Sequence, residues 1–237
     1  MAKKRITLPK NFDELITARD IEALKAVYDK CELTAHDGRY SLNTALHFGG
    51  VPDELVIWLV EQGLDVNTPD YYGRTPLYTH TTLGRDTVKL LYELGGDIQK
   101  TDTYGSTPLH TAARFFRPKI VSFLIEKGAD VNPKTVMGRT PLAEALATCR
   151  QINIAQVAEI AEMLIKAGAE VTPYLAETEA GLKKLYALFD VKPAPKRKIH
   201  DGVSPIIVKK VLGRSSITSF GIYSFLQAGQ RKLYKAK

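Results

Sequence analysis

Cysteine is scarce in this chain of 237 residues, which contains only Cys31 and Cys149. The two lie far apart, and neither belongs to a CxxC motif or a Cys/His cluster. A disulfide framework and a zinc site are therefore both unsupported. We expect two free thiols in a reducing compartment, and no bound metal.

Long hydrophobic runs are also lacking, since no apolar stretch approaches the roughly 20 residues that span a bilayer. The basic start, Met1 to Arg5, is followed by a segment, Ile6 to Asn11, that is too short and polar for a signal-peptide core. A cytoplasmic protein is the expectation, with export by a route that needs no such signal left open. The 44% hydrophobic and 25% charged residues exclude a disordered chain and a coiled coil.

Motifs of catalysis are missing as well: there is no GxSxG, P-loop, HExxH or dinucleotide fingerprint. The adjacent Gly95 and Gly96 fall at a predicted helix end, so they do not indicate a phosphate loop. We therefore predict that the protein is not an enzyme and needs no cofactor.

Acidic residues are nearly absent from the last 47 residues, which hold eleven Lys/Arg and a single acid, Asp201. This segment has a net charge of +10, whereas the first 190 residues sum to −3. The candidate anion-binding residues are Lys196, Arg197, Lys198, Lys209 and Lys210. Binding of nucleic acid or an anionic surface there is the less favoured hypothesis, because no aromatic side chains are interleaved with the basic ones.

An internal repeat is the strongest pattern present. Thr-Pro-Leu begins at Thr75, Thr107 and Thr140, and a weaker Thr-Ala-Leu-His begins at Thr44, so the threonines are 31, 32 and 33 residues apart. A second mark follows each copy at a similar distance: Gly63-Leu64-Asp65-Val66-Asn67, Gly95-Gly96-Asp97-Ile98, Gly128-Ala129-Asp130-Val131-Asn132 and Gly168-Ala169-Glu170-Val171. Self-similarity at this period indicates a repeat architecture.

The repeat marks have a physical reading. Thr caps a helix N-terminus, and Pro fits the first helical position because its missing N–H would be unpaired there. Ile-Val-x-x-Leu-Ile spacing predicts a second, amphipathic helix, which the later Gly ends. Each unit is thus two helices and a projecting turn, and it must stack on its neighbours to bury a core.

The repeat resembles the ankyrin repeat, and residues 101–132 are its best copy. The resemblance implies an all-α solenoid of stacked helix-turn-helix units with β-hairpin finger loops. It also implies a non-enzymatic module, expected to be a monomer when alone, that binds a protein partner through its finger tips and its concave face.

Domain boundaries follow from the repeat. Residues 1–10 are a basic lead, and the stack covers 11–190. Within it we predict an N-terminal capping helix pair at 11–33, repeats at about 37–67, 68–100, 101–132 and 133–172, and a shortened repeat at 173–190. A basic Pro-rich connector at 191–200 and a degenerate capping repeat at 201–237 complete the chain. Seven extra residues near 149–154 lengthen either a helix or a loop of the fourth repeat.

The candidate partner-binding residues flank the finger glycine or follow the first helix of a repeat. They are Tyr71, Tyr72, Arg74 and Leu83, then Tyr104, Arg114, Phe115 and Phe116, then Met137 and Arg139. Aromatic and Arg side chains are enriched at binding hot spots. The loop Arg114-Phe115-Phe116-Arg117 is notable because the family has a small Gly-His pair there.

Other side chains are expected to be structural. His47 and His110 occupy the family's hydrogen-bonding position, which Tyr78 and Ala143 replace in two copies, so the internal network is predicted to be incomplete there. His80 is expected to be solvated, and Trp58 aligns with core positions.

Three versions of a binding function stay open. The leading one is an adaptor for another protein. A bacterial immunity-type protein that neutralises a toxin and a translocated effector are more specific forms of it. Anion binding by the basic C-terminal segment is the alternative of another class.

Overall fold

A computed structural model describes residues 3–148 and 153–170. Cys149, the shortened repeat, the basic connector, the degenerate cap and all five candidate anion-binding residues lie outside the described residues. Two compact units are present, Met1–Thr111 and Ala112–Lys237. The helices are α1 (Phe12–Ala18), α2 (Ile21–Lys30), α3 (Asp53–Glu61), α4 (Pro76–Leu83), α5 (Thr87–Glu93), α6 (Pro108–Arg114), α7 (Pro118–Glu126), α8 (Pro141–Thr148) and α9 (Ile154–Lys166).

The N-terminal helix pair packs its apolar faces into the core of the first unit. Phe12, Leu24 and Tyr28 are buried, and the Tyr28 ring lies 5.8 Å from that of Trp58 on α3. Asp20 caps α2, because its Oδ1 accepts a 3.0 Å hydrogen bond from the Ala23 amide. Trp58 itself is only half-buried, so the prediction that it lies in the core holds for one side of its ring.

Two short strands, β1 (Arg5–Thr7) and β2 (Cys31–His36), form a parallel pair that the sequence analysis did not predict. The basic lead therefore contains a strand, and β2 begins where α2 ends. The buried Cys31 thiol points back at this pair and donates to the Thr7 carbonyl at 3.4 Å. Strand β1 has only three residues, Arg5-Ile6-Thr7, all of them exposed, and this is too short for a strand period to be recognised.

The first helices of the repeats begin as the Thr-Pro motif predicts. Thr75 Oγ1 accepts from the Tyr78 amide at 3.2 Å, and Thr140 Oγ1 accepts from the Ala143 amide at 3.3 Å. The weaker copy forms only a 3-10 turn, Ala45–His47. It lacks the proline at the first helical position, and Gly49 and Gly50 follow at once, so an α-helix is not propagated.

Both helices of a repeat supply fully buried leucines: Leu77 and Leu142 lie on first helices, and Leu91 and Leu124 on second helices. Within the first unit, α3 packs against α5, which in turn packs against α4. Within the second unit, α9 packs against α7 and α8. Helix α9 spans 13 residues where α7 spans nine, so part of the extra length of the fourth repeat lies in its second helix.

Asparagine side chains join consecutive repeats behind the second helices. Asn67 Nδ2 donates to the Gly95 carbonyl at 3.0 Å, and its Oδ1 accepts from the Asp97 amide at 2.8 Å. In the second unit Asn132 makes the same pair of bonds with Gly168 and Glu170, at 3.0 and 2.7 Å. The Asn of the recurring Gly-x-Asp-x-Asn mark thus bonds one repeat to the next, and such contacts between neighbouring repeats stabilise a stack of helix pairs.

These helix-loop-helix units fit the all-α repeat solenoid that the resemblance implies, with β1 and β2 as the addition. Within 3–148 and 153–170, no helix has both the length and the apolar character to cross a membrane.

Candidate functional site

Four finger loops lie between the repeats within residues 3–148 and 153–170. They are finger 1 (37–43), finger 2 (70–74), finger 3 (102–106) and finger 4 (135–139). Fingers 1 to 3 belong to the first unit and finger 4 to the second.

One polar side chain at the start of each finger shapes its turn. In finger 2, Asp70 Oδ1 accepts hydrogen bonds from the Tyr72 and Arg74 amides at 2.8 and 2.9 Å. In finger 3, Asp102 Oδ1 accepts from Tyr104 and Ser106, at 2.9 Å each. A carboxylate bonding to amides further along the chain is a turn device that Asp supplies well. The tips are therefore held by local bonds before any ligand arrives.

Backbone bonds also join neighbouring fingers of the first unit. The Tyr71 amide donates to the Ser41 carbonyl at 2.9 Å, and the Thr103 amide donates to the Tyr72 carbonyl at 2.9 Å. Gly73 lies between these contacts with φ +75, and a Cβ there would be 3.3 Å from the Thr103 nitrogen. Its glycine is needed both for the left-handed turn and for the close approach of the next finger.

Three tyrosines cluster at the tips of fingers 1 and 2. The ring centroid of Tyr40 lies 4.8 Å from that of Tyr71, which lies 5.4 Å from that of Tyr72. The Tyr40 hydroxyl donates to the Tyr71 hydroxyl at 3.3 Å, and this bond raises the pKa of Tyr40. Tyr40 and Tyr71 are 72% and 53% exposed, so the cluster faces solvent.

Tyr40 was missed by the sequence analysis. The Thr-Ala-Leu-His copy that follows it is degenerate and has no glycine two residues before its threonine, so finger 1 had no marked tip. The available signal was Asp37-Gly38, which opens this finger as Asp70 opens the next: Asp37 Oδ1 accepts from the Arg39 and Asn43 amides at 3.0 and 3.3 Å.

Arg74 contacts two other residues of finger 2, Asp70 and Tyr72. Its guanidinium makes a 2.6 Å ion pair with Oδ2 of Asp70, whose side chain is fully buried. The guanidinium also lies 4.8 Å from the centroid of the Tyr72 ring. Removing the Arg74 charge would leave the buried Asp70 carboxylate without its cation. Arg74 and the half-buried Tyr72 thus support the exposed tyrosines next to them.

The hydrogen-bonding position after each Thr-x-Leu motif is filled in two ways within the first unit. His47 joins the Thr44 hydroxyl to the Arg74 carbonyl, both at 3.0 Å, and burial lowers its pKa. Tyr78 takes the place of histidine in the next repeat and donates to Asp102 Oδ2 at 3.0 Å. The prediction of an incomplete network at Tyr78 was wrong, because the longer phenol reaches the next finger.

His80 is fully buried, so the prediction that it is solvated was also wrong. Its Nε2 donates to the Leu46 carbonyl at 3.0 Å, and burial lowers its pKa to about 4. Its Nδ1 has no hydrogen-bond partner among the described residues. Such an imidazole is neutral at pH 7 and is part of the core.

Finger 4 in the second unit is built differently. Thr135 Oγ1 replaces the aspartate and accepts from the Arg139 amide at 3.2 Å, and Arg139 also reaches Glu144 Oε1 at 3.4 Å. Its tip is apolar, with Val136 and Met137 72% and 71% exposed.

The loop between α6 and α7 carries the bulky pair of the third repeat. Phe115 is 43% exposed, and the Arg114 guanidinium lies 5.8 Å from its ring centroid. Phe116 adopts φ +56, the left-handed conformation that Gly84 adopts at φ +70 at the end of α4. Leu83, one residue before Gly84, is likewise exposed at the surface of the first unit.

The predicted partner-binding residues therefore divide into two groups. The exposed group contains Tyr71, Leu83, Tyr104, Arg114, Phe115 and Met137. The half-buried group contains Tyr72, Arg74, Phe116 and Arg139. Within the parts of the chain that the structure covers, no group of three or more His, Cys, Asp or Glu side chains is arranged to hold a metal ion.

Comparison with known proteins agrees with this architecture. A family model described as ankyrin repeats (3 copies) matches residues 83–174. No curated protein matches the chain. The matched residues hold the Thr-Pro-Leu copies at Thr107 and Thr140, the helix pairs from α6 to α9 and fingers 3 and 4. Residues 83–174 thus belong to the ankyrin-repeat family.

Proposed function

We propose that this protein is a non-enzymatic adaptor that binds a partner protein through its finger tips and the loops that end its first helices. Ankyrin repeats are generally protein–protein interaction modules. The observation that carries the proposal is a set of exposed aromatic tips on fingers whose backbone is already fixed: Tyr40, Tyr71 and Tyr104.

Rigid aromatic tips are suited to recognition. A tyrosine offers a large apolar surface and a hydrogen-bonding hydroxyl, and it loses little side-chain entropy on binding. The turn bonds of Asp70 and Asp102 and the bonds between fingers further reduce the cost of ordering. Exposed aromatics would otherwise be an aggregation liability, so their concentration at the tips favours use in binding.

Quantitative affinity capture tests this proposal. The purified chain serves as bait in a native lysate, and each bound protein is measured against the same bait with Tyr71→Ala and Tyr104→Ala combined. We expect the specific partner to be lost by about tenfold or more, because hot-spot aromatics each contribute more than about 1 kcal/mol.

The matched control is Ile57→Ala, which removes an exposed apolar side chain from α3, away from the fingers. It should leave capture unchanged. Equal capture by the folded Tyr71/Tyr104 double variant and the parent protein would rule out the finger tips as the binding surface.

A further inference from the structure

We propose that the α6–α7 loop is a docking site for an acidic partner segment, one that presents carboxylates next to an apolar side chain. We name this surface the Arg114 patch and define it as Arg114, Phe115, Phe116 and Lys119. The inference rests on the proposed function and specifies the chemistry of the partner.

The charged residues along this stretch of the chain are of one sign. Residues 103–125 contain three basic residues and no acidic residue. Arg114 and Lys119 are exposed, and neither makes an ion pair with a carboxylate in the described part of the chain. By contrast, three other arginines each have a carboxylate partner: Arg39 with Asp13, Arg74 with Asp70 and Arg139 with Glu144.

An apolar surface adjoins this charge. The Arg114 guanidinium lies 5.8 Å from the Phe115 ring centroid, so the arginine shares a surface with an aromatic ring that is itself exposed. A guanidinium stacked on an aromatic ring keeps its N–H edges available, and those edges match a carboxylate in a bidentate geometry. The patch therefore fits a segment with acidic and apolar side chains together.

The loop is held in place by its own bonds. The Thr148 hydroxyl of α8 donates to the Arg114 carbonyl at 3.2 Å. The Phe116 amide donates to the Ala113 carbonyl at 3.3 Å, and the Arg117 amide to the Ala112 carbonyl at 2.9 Å. Little ordering of the backbone would accompany binding, which favours affinity.

The conformation of Phe116 adds an independent observation. A bulky residue at φ +56 is strained, and the corresponding place in the first unit holds a glycine. Here the strain turns the chain sharply after α6 and leaves Phe115 at the surface beside Arg114.

A protein segment fits the patch better than a nucleic acid. Nucleic-acid affinity comes mainly from several simultaneous phosphate contacts, whereas the patch has two exposed cations without carboxylate partners. An acidic segment needs only one or two charge contacts if an apolar side chain also covers Phe115.

Fluorescence anisotropy with the full-length protein tests the proposal. The probe is a labelled dodecapeptide of Glu, Leu and Phe. Three comparison probes are the same peptide with Lys for each Glu, the same peptide with Ser for each Leu and Phe, and a dT oligonucleotide of equal length. We expect the acidic apolar peptide to bind at least about tenfold more tightly than each comparison probe, and its affinity to fall with added salt.

Two variants locate the binding. Arg114→Glu and Phe115→Ser should each weaken the acidic apolar peptide by about tenfold or more. The matched control is Arg85→Glu, the same charge reversal at an exposed residue after α4, and it should leave binding unchanged.

The proposal is overturned if the parent protein does not bind the acidic apolar peptide at about 1 mM, if the Lys peptide or the oligonucleotide binds as tightly, or if Arg114→Glu binds like the parent. Capture of the natural partner separates the two proposals. A partner lost with the Tyr71/Tyr104 double variant but kept by Arg114→Glu would leave the proposed function standing and refute the Arg114 patch.

Discussion

The hydroxyl of Tyr78 donates a 3.0 Å hydrogen bond to Oδ2 of Asp102, which is 24 residues further along the chain. The other oxygen of the same carboxylate accepts the amides of Tyr104 and Ser106. One aspartate therefore joins the first helix of a repeat to the turn of the following finger. Burial raises the pKa of Tyr78, so the phenol stays protonated and able to donate at physiological pH.

Tyr78→Phe should destabilise the protein by about 1–2 kcal/mol, because it removes a donor and leaves a partly buried carboxylate oxygen without it. The urea midpoint of unfolding measures the change. Tyr104→Phe is the matched control, since its hydroxyl is on an exposed ring, and it should stay within about 0.5 kcal/mol of the parent. Equal midpoints for the two variants would show that the Tyr78–Asp102 bond contributes nothing.

Asn67→Ala should loosen the junction between two repeats. It removes both the bond to the Gly95 carbonyl and the bond from the Asp97 amide, and we expect a loss of about 1–2 kcal/mol. Hydrogen exchange at the Asp97 amide reports the local effect, because that amide loses its acceptor. Asn67→Asp keeps an acceptor but not the donor, so it should preserve more of this protection. An unchanged Asp97 exchange rate in the alanine variant would contradict this role of Asn67.

Stability should fall as the solution is acidified from pH 7 towards pH 4. The pKa of His80 is about 4 in the folded protein and 6.5 without the burial that lowers it. Between these values the unfolded chain binds the extra proton, so protonation favours unfolding. The lowered pKa of His80 corresponds to about 3 kcal/mol of the free energy of unfolding at pH 7. This contribution is fully lost only below pH 4.

His80→Gln tests the assignment, because an amide can still donate to the Leu46 carbonyl and does not titrate. His47, whose pKa burial also lowers, adds a dependence of the same sign and remains in the variant. The variant should therefore show a shallower, not a flat, decline in the urea midpoint between pH 7 and 4. An identical decline in both proteins would mean that His80 does not control it.

Much of this fold follows from local rules that act within a few residues. Thr75 and Thr140 cap helices as their motif predicts, and the Asp70 and Asp102 turns lie between the repeats where the glycines indicate them. The exposure of Tyr71 and Tyr104 at the finger tips follows from the same repeat spacing.

The remaining features depend on contacts between residues distant in sequence. Burial of His80 requires the Leu46 carbonyl, 34 residues earlier. Strand β1 requires β2, more than 20 residues later, and its own three residues are too few to show a strand period. Tyr40 joins the tyrosine cluster only because fingers 1 and 2 pair through Ser41 and Tyr71. The first two pairings leave no local mark in the chain, whereas Asp37-Gly38 marks finger 1 but not the partner of Tyr40.

Phe116 offers a direct measure of backbone strain. Phe116→Ala removes the ring but keeps a Cβ at φ +56, whereas Phe116→Gly removes both the ring and the strain. Because the two variants lose the same ring contacts, their difference isolates the left-handed conformation. We expect the glycine variant to be more stable than the alanine variant by about 1 kcal/mol, measured by urea unfolding. Gly84→Ala is the reciprocal test at φ +70 and should cost a similar amount. If alanine proves as stable as glycine at position 116, the loop relaxes without strain, and the argument that the chain retains a costly conformation there fails.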